Sequence, residues 1–162
     1  MSDASNANAL PQWNLGDLYP APDSPVFAAD MKKAAADATA FAAKWQGKLA
    51  GLPGREMAAA LKDYETLSDL LGRIGSYAQL HYVGDTTDAA RAKFYGDVSN
   101  KLTEVSSQLL FFELELNKID DAVLAAALAD SALAHYKPWL DNLRMEKPYQ
   151  LDDKLEQLFL EK

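Results

Sequence analysis

Seven apolar residues, Phe94, Val98, Leu102, Val105, Leu109, Phe112 and Leu116, follow one another at steps of four, four, three, four, three and four. Only an α-helix returns side chains to one face at that interval. The spacing predicts a single helix over residues 87–117, about 45 Å long at about 1.5 Å per residue. Toward its end the run Leu109-Leu110-Phe111-Phe112-Glu113-Leu114-Glu115-Leu116 leaves little polar face. A helix that is apolar all round must be covered on more than one side.

The rest of the chain reads the same way. Asp23-Ser24-Pro25 starts a helix, with Ser24 able to cap free N–H groups and Pro25 suited to the first position. Phe27, Met31, Ala34, Ala38, Phe41 and Trp45 then form one stripe, ended by Gly47 and Gly51-Leu52-Pro53-Gly54. A second helix is predicted over residues 55–82, with Met57, Leu61, Tyr64, Leu67, Leu71, Ile74 and Ala78 on one face. Gly72 and Gly75 fall inside it. Each weakens a helix by about 1 kcal/mol relative to Ala, so a close crossing or a kink is expected there. Gly84-Asp85-Thr86-Thr87-Asp88 reads as a turn and cap.

Shorter helices follow. Asp120 or Asp121 caps residues 122–129, Ser131 caps a segment to residue 145 that Pro138 kinks, and Asp152 caps a last helix carrying Leu151, Leu155, Leu158 and Phe159. Alanine runs such as Ala34-Ala35-Ala36 favour helix, and no stretch alternates as a strand would. The fold class is therefore all-α, an antiparallel bundle of about five or six helices with one long central helix. Residues 1–23 read as an extended leader whose Trp13, Leu15, Leu18 and Tyr19 strap onto the body. Residues 24–162 read as a single helical domain. Glu161-Lys162 lacks any stop signal, so the chain is expected to end inside a helix.

Charge narrows the function classes. Sixteen basic against twenty-four acidic residues give a net charge of −8, without the Lys/Arg cluster that a phosphate surface needs. Nucleic acid and membrane are not expected partners. No cysteine is present, which removes disulfides and thiolate metal sites. No signal peptide and no membrane-length apolar run is read, so a cytoplasmic protein is expected.

The residues offer little ready chemistry. His81 and His135 lie in different predicted helices, and no H-E-x-x-H occurs. No serine elbow and no phosphate loop is present. Glu113 and Glu115 stand two apart on a helix and point different ways, so they make no acid–base dyad. Tyr77, His81, Tyr82 and Tyr95 suit either the wall of a peptide channel or the rim of a core. No catalytic, cofactor-binding or metal-binding residue is assigned.

Four segments carry a resemblance. Trp13-Asn14-Leu15-Gly16-Asp17-Leu18-Tyr19-Pro20 resembles the W-[DN]-L-x-x-L-Y opening of oligoendopeptidase F-type (thimet-oligopeptidase-like) zinc metallopeptidases. Tyr77-Ala78-Gln79-Leu80-His81-Tyr82 with Asp85-Thr86-Thr87-Asp88 looks like that family's second-to-third helix junction. Leu110-Phe111-Phe112-Glu113-Leu114-Glu115-Leu116 resembles the end of its third helix. Arg144, Pro148, Leu151 and Glu156 fit its R-x-x-x-P-H-x-L-x-x-x-x-E segment, with Tyr149 standing where the family has His.

The resemblance implies the N-terminal region of a mostly helical enzyme that hydrolyses oligopeptides with zinc held by H-E-x-x-H and a more distant Glu. Those residues would lie beyond Lys162, so the fragment alone is expected to be inactive and to hold no cofactor. Its implied role is to wall the substrate channel. Its implied partners are oligopeptide substrates and the missing catalytic half, with a homodimer expected when that half is absent. The alternatives are a stand-alone helical adaptor with no catalysis and a complete, inert four- to six-helix bundle.

Overall fold

Ser24 opens the first helix as its type and position require, in a computed structural model that describes residues 13–160. Its hydroxyl accepts the Phe27 N–H at 3.3 Å, and Pro25 takes the first turn of α1 (Pro25–Trp45). The predicted stripe is buried at Phe27, Ala34, Ala38, Phe41 and Trp45. Gly47 then turns the chain at φ +76°, in the left-handed region that favours glycine. A short 3-10 turn (Leu49–Gly51) drops Leu49 into the core.

The central element is α2 (Gly54–Val83), against which α1, α3 (Ala89–Ser107), α5 (Asp121–Ala127) and α6 (Ser131–Ala134) all pack. It runs unbroken through both internal glycines. A Cβ on Gly75 would stand 3.3 Å from the Leu102 methyl, so that glycine serves a close crossing with α3 (Ala89–Ser107). Gly72 faces open space. Gly54 belongs to the start of α2 rather than to a loop. A Cβ there would lie 2.3 Å from the Ala127 carbonyl oxygen at the end of α5 (Asp121–Ala127).

The helix expected over residues 87–117 is two helices, α3 and α4 (Leu110–Lys118). Gln108 and Leu109 form the joint. The Leu109 N–H reaches back to Ser106 and the Phe112 N–H to Leu109, each at 2.9 Å, tightening the backbone to 3-10 spacing. The apolar stripe continues across the joint, with Val98, Val105, Leu109, Phe112 and Leu116 all buried. Redirecting α4 seats Phe112 against Tyr64 (ring centroids 4.6 Å) and Phe41 (5.1 Å). The apolar end is thus covered from within the chain, and Leu114 is buried as well. The long central helix is α2 instead.

The segment after α5 also divides, into α6 (Ser131–Ala134) and α7 (Lys137–Met145). Asp130, not Ser131, caps α6 by accepting the Ala132 N–H at 2.9 Å. Pro138 occupies the first turn of α7, so it starts a helix where a kink was expected. Asp120 caps α5, accepting from Ala122 and Val123. Asp152 caps α8 (Asp153–Leu160), accepting from Lys154 and Leu155.

Two buried clusters result. One joins α1, α2 and α4 through Phe41, Leu61 and Phe112; the other joins α1, α2 and α3 through Phe27, Ile74 and Val98. No strand occurs among the described residues, and the fold is all-α. Residues 15–19 form a tight turn in which Leu15 accepts from Leu18 and Tyr19, rather than an extended strap. Tyr19 inserts its ring into the second cluster and donates its hydroxyl to Asp30 at 2.8 Å. Trp13 stays exposed. The expected continuation at Glu161-Lys162, and the start of the leader at residues 1–12, lie outside the described residues.

Candidate functional site

The aromatic residues singled out from the sequence form a packed rim. Tyr77 is buried, His81 stacks on it at 5.9 Å, and Tyr82 stacks on Tyr95 at 5.2 Å. Burial pushes the His81 pKa below its ordinary value; the Arg91 cation lowers it further and Asp88 opposes them. Arg91 also donates to the His81 carbonyl at 3.0 Å, tying the end of α2 to the start of α3. These contacts give each ring a structural partner.

The glutamates separate as their spacing demands. Glu113 accepts the Tyr64 hydroxyl at 2.8 Å, whereas Glu115 accepts the Gly47 N–H at 2.7 Å on another face of α4. Burial, then the Glu113 charge and hydrogen bond, raises the Tyr64 pKa well above the ordinary phenol value. No group of three or more His, Cys, Asp or Glu among the described residues is placed to hold a metal ion. His81 sits in the ring stack, whereas exposed His135 borders a different hollow with Tyr136 and Trp139. The described residues do not fit zinc.

A different site emerges where α4, α7 and α8 meet. A groove of about 380 Å³ is walled by Glu113 and Asn117 of α4, Glu146, Tyr149 and Gln150 of the connection after α7, and Glu156 of α8. Asn117 is 5% exposed, and its side-chain oxygen has no hydrogen-bond donor. The Gln150 side-chain oxygen is likewise buried without a donor, while its amide nitrogen reaches the Leu114 carbonyl at 3.4 Å. That donation fixes which end of the Gln150 amide is left over. Both oxygens are closed off from the groove as well as from protein donors, and an unmet buried acceptor costs roughly 1–3 kcal/mol.

Sequence reasoning missed this groove. Asn117 reads only as the end of the helix predicted over residues 87–117, and Gln150 falls at an unspecified position of the 144–156 pattern. The available signal is a lone amide inside Leu114-Glu115-Leu116-Asn117-Lys118-Ile119, where Leu114, Leu116 and Ile119 are buried.

The motif residues beside the groove hold it in shape. Arg144 donates to the carbonyls of Leu116 and Ile119, both at 2.8 Å, and to the Asp121 carboxylate. The Glu156 carboxylate accepts the Leu151 N–H at 2.8 Å, clasping the turn before α8. Lys118 pairs with Asp153 and Lys147 with Asp121, so the neighbouring cations are directed elsewhere. None of the groove-lining residues is basic.

Residues 115–162 match the peptidase M3 N-terminal family model, described as Oligopeptidase F. The match takes in the Arg144–Glu156 segment and most of the groove; Trp13–Pro20 and the 77–88 junction lie outside it and keep resemblance alone. No curated protein and no solved structure matches the chain. No helix among the described residues is long and apolar enough to cross a membrane.

Proposed function

We propose that this chain, whose residues 115–162 carry an oligopeptidase F-type N-terminal region, is the helical lobe of a peptidase and walls the channel that admits its oligopeptide substrates. The observation that carries this reading is the overlap of the family match with the α4–α8 segment, where Arg144 and Glu156 brace a groove. Hydrolysis belongs to a following catalytic half, and zinc enters only as the cofactor held there. The chain's own contribution is shape and charge: an acidic wall that limits what passes. A cytoplasmic location is part of the same reading.

The competing reading is a stand-alone adaptor, favoured by the apolar face that α8 leaves exposed. One experiment separates the two. The 162-residue chain is assayed with zinc and a quenched fluorescent peptide, alone and joined to the downstream coding sequence. The expected result is silence alone and chelator-sensitive cleavage when joined. Turnover by the chain alone, or an inactive joined protein without an H-E-x-x-H segment, would overturn the lobe reading.

A further inference from the structure

We infer that the hollow between the middle of α2 and the start of α7 binds a small organic cation of the quaternary ammonium class. The inference stands independently of the peptidase reading, because it concerns ligand binding by this chain alone. Its basis is a cavity of about 360 Å³ lined by three aromatic rings: Tyr64 of α2, Tyr136 at the cap of α7, and Trp139 in its first turn. That volume falls in the range of small-molecule pockets, about 300–1,000 Å³. All three rings are only partly buried, so each keeps surface that a ligand can touch.

Each ring is held in place before any ligand arrives. Tyr64 stacks on buried Phe112 at 4.6 Å. Trp139 meets Tyr64 at 6.0 Å with the two planes 52° apart, which makes a corner rather than a stack. His135 meets Tyr136 edge-on at 5.1 Å. A preformed aromatic corner loses little side-chain entropy on binding.

The charge of the surroundings selects a cation. Tyr64 donates its hydroxyl to Glu113 at 2.8 Å, and Tyr136 donates to Glu65 at 3.2 Å. A phenol that donates to a carboxylate gains electron density in its ring, so both present a more negative face to a cation. Glu65 and Asp69 line the hollow themselves, and no Lys or Arg does. Lys62 stands near, but Glu65 takes its ammonium at 2.8 Å. Three carboxylates therefore face one ammonium around these rings.

The class of cation follows from what is already bonded. One oxygen of Glu65 accepts both Lys62 and Tyr136, and the walls are otherwise mainly aromatic and apolar. A primary ammonium or a guanidinium brings three or five N–H donors that ring faces do not satisfy. A quaternary ammonium has no N–H donor and is drawn to ring faces by its charge. Carboxylates at the rim oppose a second, anionic group on the ligand. The fit is to a free choline-like cation rather than to a phosphocholine headgroup.

The test uses the full chain with choline, phosphocholine and 3,3-dimethylbutan-1-ol. The last replaces the choline nitrogen by carbon, keeping the shape and removing the charge. The Trp139 indole N–H signal, identified by its loss in Trp139→Phe, is followed by NMR during titration. The expected result is saturable movement with choline, about tenfold weaker binding of phosphocholine, and no saturation with the neutral alcohol. Tyr136→Leu should weaken choline binding about tenfold. Asp69→Asn, at an exposed position, should weaken it about threefold with the backbone spectrum otherwise unchanged. Equal response to the neutral alcohol, phosphocholine bound as tightly as choline, unaltered binding in Asp69→Asn or in folded Tyr136→Leu, or no saturation by millimolar choline would each overturn the inference.

Discussion

Arg144 Nη1 donates to the Leu116 carbonyl oxygen at 2.8 Å, and the same guanidinium donates from Nη2 to Ile119 at 2.8 Å. The Leu116 carbonyl lies in the final turn of α4, where its backbone donor is the C-cap Ile119 N–H at 3.4 Å and the guanidinium adds a shorter one. One side chain from α7 therefore closes the end of a helix twenty-eight residues earlier in the chain. Its side chain is only 14% exposed, so water cannot readily replace it.

Arg144→Met should destabilise the fold by about 2–3 kcal/mol, because two carbonyls lose charge-assisted donors at once. Arg144→Lys should recover little of this, since one ammonium cannot reproduce the fork. Asp121→Asn should be nearly silent by comparison, its carboxylate being 82% exposed although Lys147 and Arg144 hold its pKa below the usual range. Urea unfolding of the three variants checks the order. A silent Arg144→Met would remove the clamp from the account.

Gly54→Ala should also destabilise, against the helix propensity scale. Alanine gains up to about 1 kcal/mol inside a helix relative to glycine. Here, however, its Cβ would stand 2.3 Å from the Ala127 carbonyl oxygen and 2.7 Å from the Asp130 Cβ. The first neighbour is backbone, so α2 and α5 must part. A net loss of about 1–3 kcal/mol is expected. Gly72→Ala meets nothing within 4 Å and is the control, expected to raise the melting temperature. Thermal unfolding of the pair distinguishes close packing from propensity.

The helices were legible because periodicity reports which face is buried, and the stripes of α1, α2 and α3–α4 are buried largely as read. The joint at Gln108-Leu109 was not legible, because a 3-10 turn shifts the backbone without interrupting a three-and-four pattern. Ser131 failed as a cap because Asp130, one residue earlier, is as good an N-cap and won the position. The groove was illegible for another reason. Asn117 belongs to α4 and Glu146 and Gln150 to the connection after α7, far apart in sequence and brought together only by the turns around Pro138 and Pro148.

The His81 pKa is lowered from its ordinary 6.5, first by burial and then by Arg91. The folded state therefore binds fewer protons than the unfolded chain through the range just below that value. Stability is full above the ordinary histidine pKa and falls as pH drops through it toward the lower folded pKa. His81→Gln, which keeps a polar side chain without titration, should flatten the stability profile between about pH 7 and 5 relative to the parent. Chemical unfolding across that interval is the measurement. An identical slope in the variant would mean that carboxylates alone set the pH dependence.

Leu155, Leu158 and Phe159 occupy one face of α8 at helical spacing and are 41%, 45% and 64% exposed. Phe111, Phe112 and Leu114, in the run that must be covered on more than one side, are at least partly buried within the chain, so they add little to the open α8 face. Lys118–Asp153 anchors the first turn of α8, and Glu156 turns inward to the Leu151 N–H, which leaves the apolar side outermost. Water contact with that side favours any apolar cover by about 25 cal/mol per Å², and association costs oppose it. The purified chain should therefore self-associate weakly through α8, with sedimentation rising over a hundredfold concentration range. Phe159→Asp should abolish the rise without lowering the melting temperature, because Phe159 belongs to neither buried cluster. If the parent chain stays monomeric throughout and the substitution changes nothing, the α8 face does not pair with itself. Joining the downstream sequence should then protect Phe159 from solvent labelling under the lobe reading and leave it exposed under the adaptor reading.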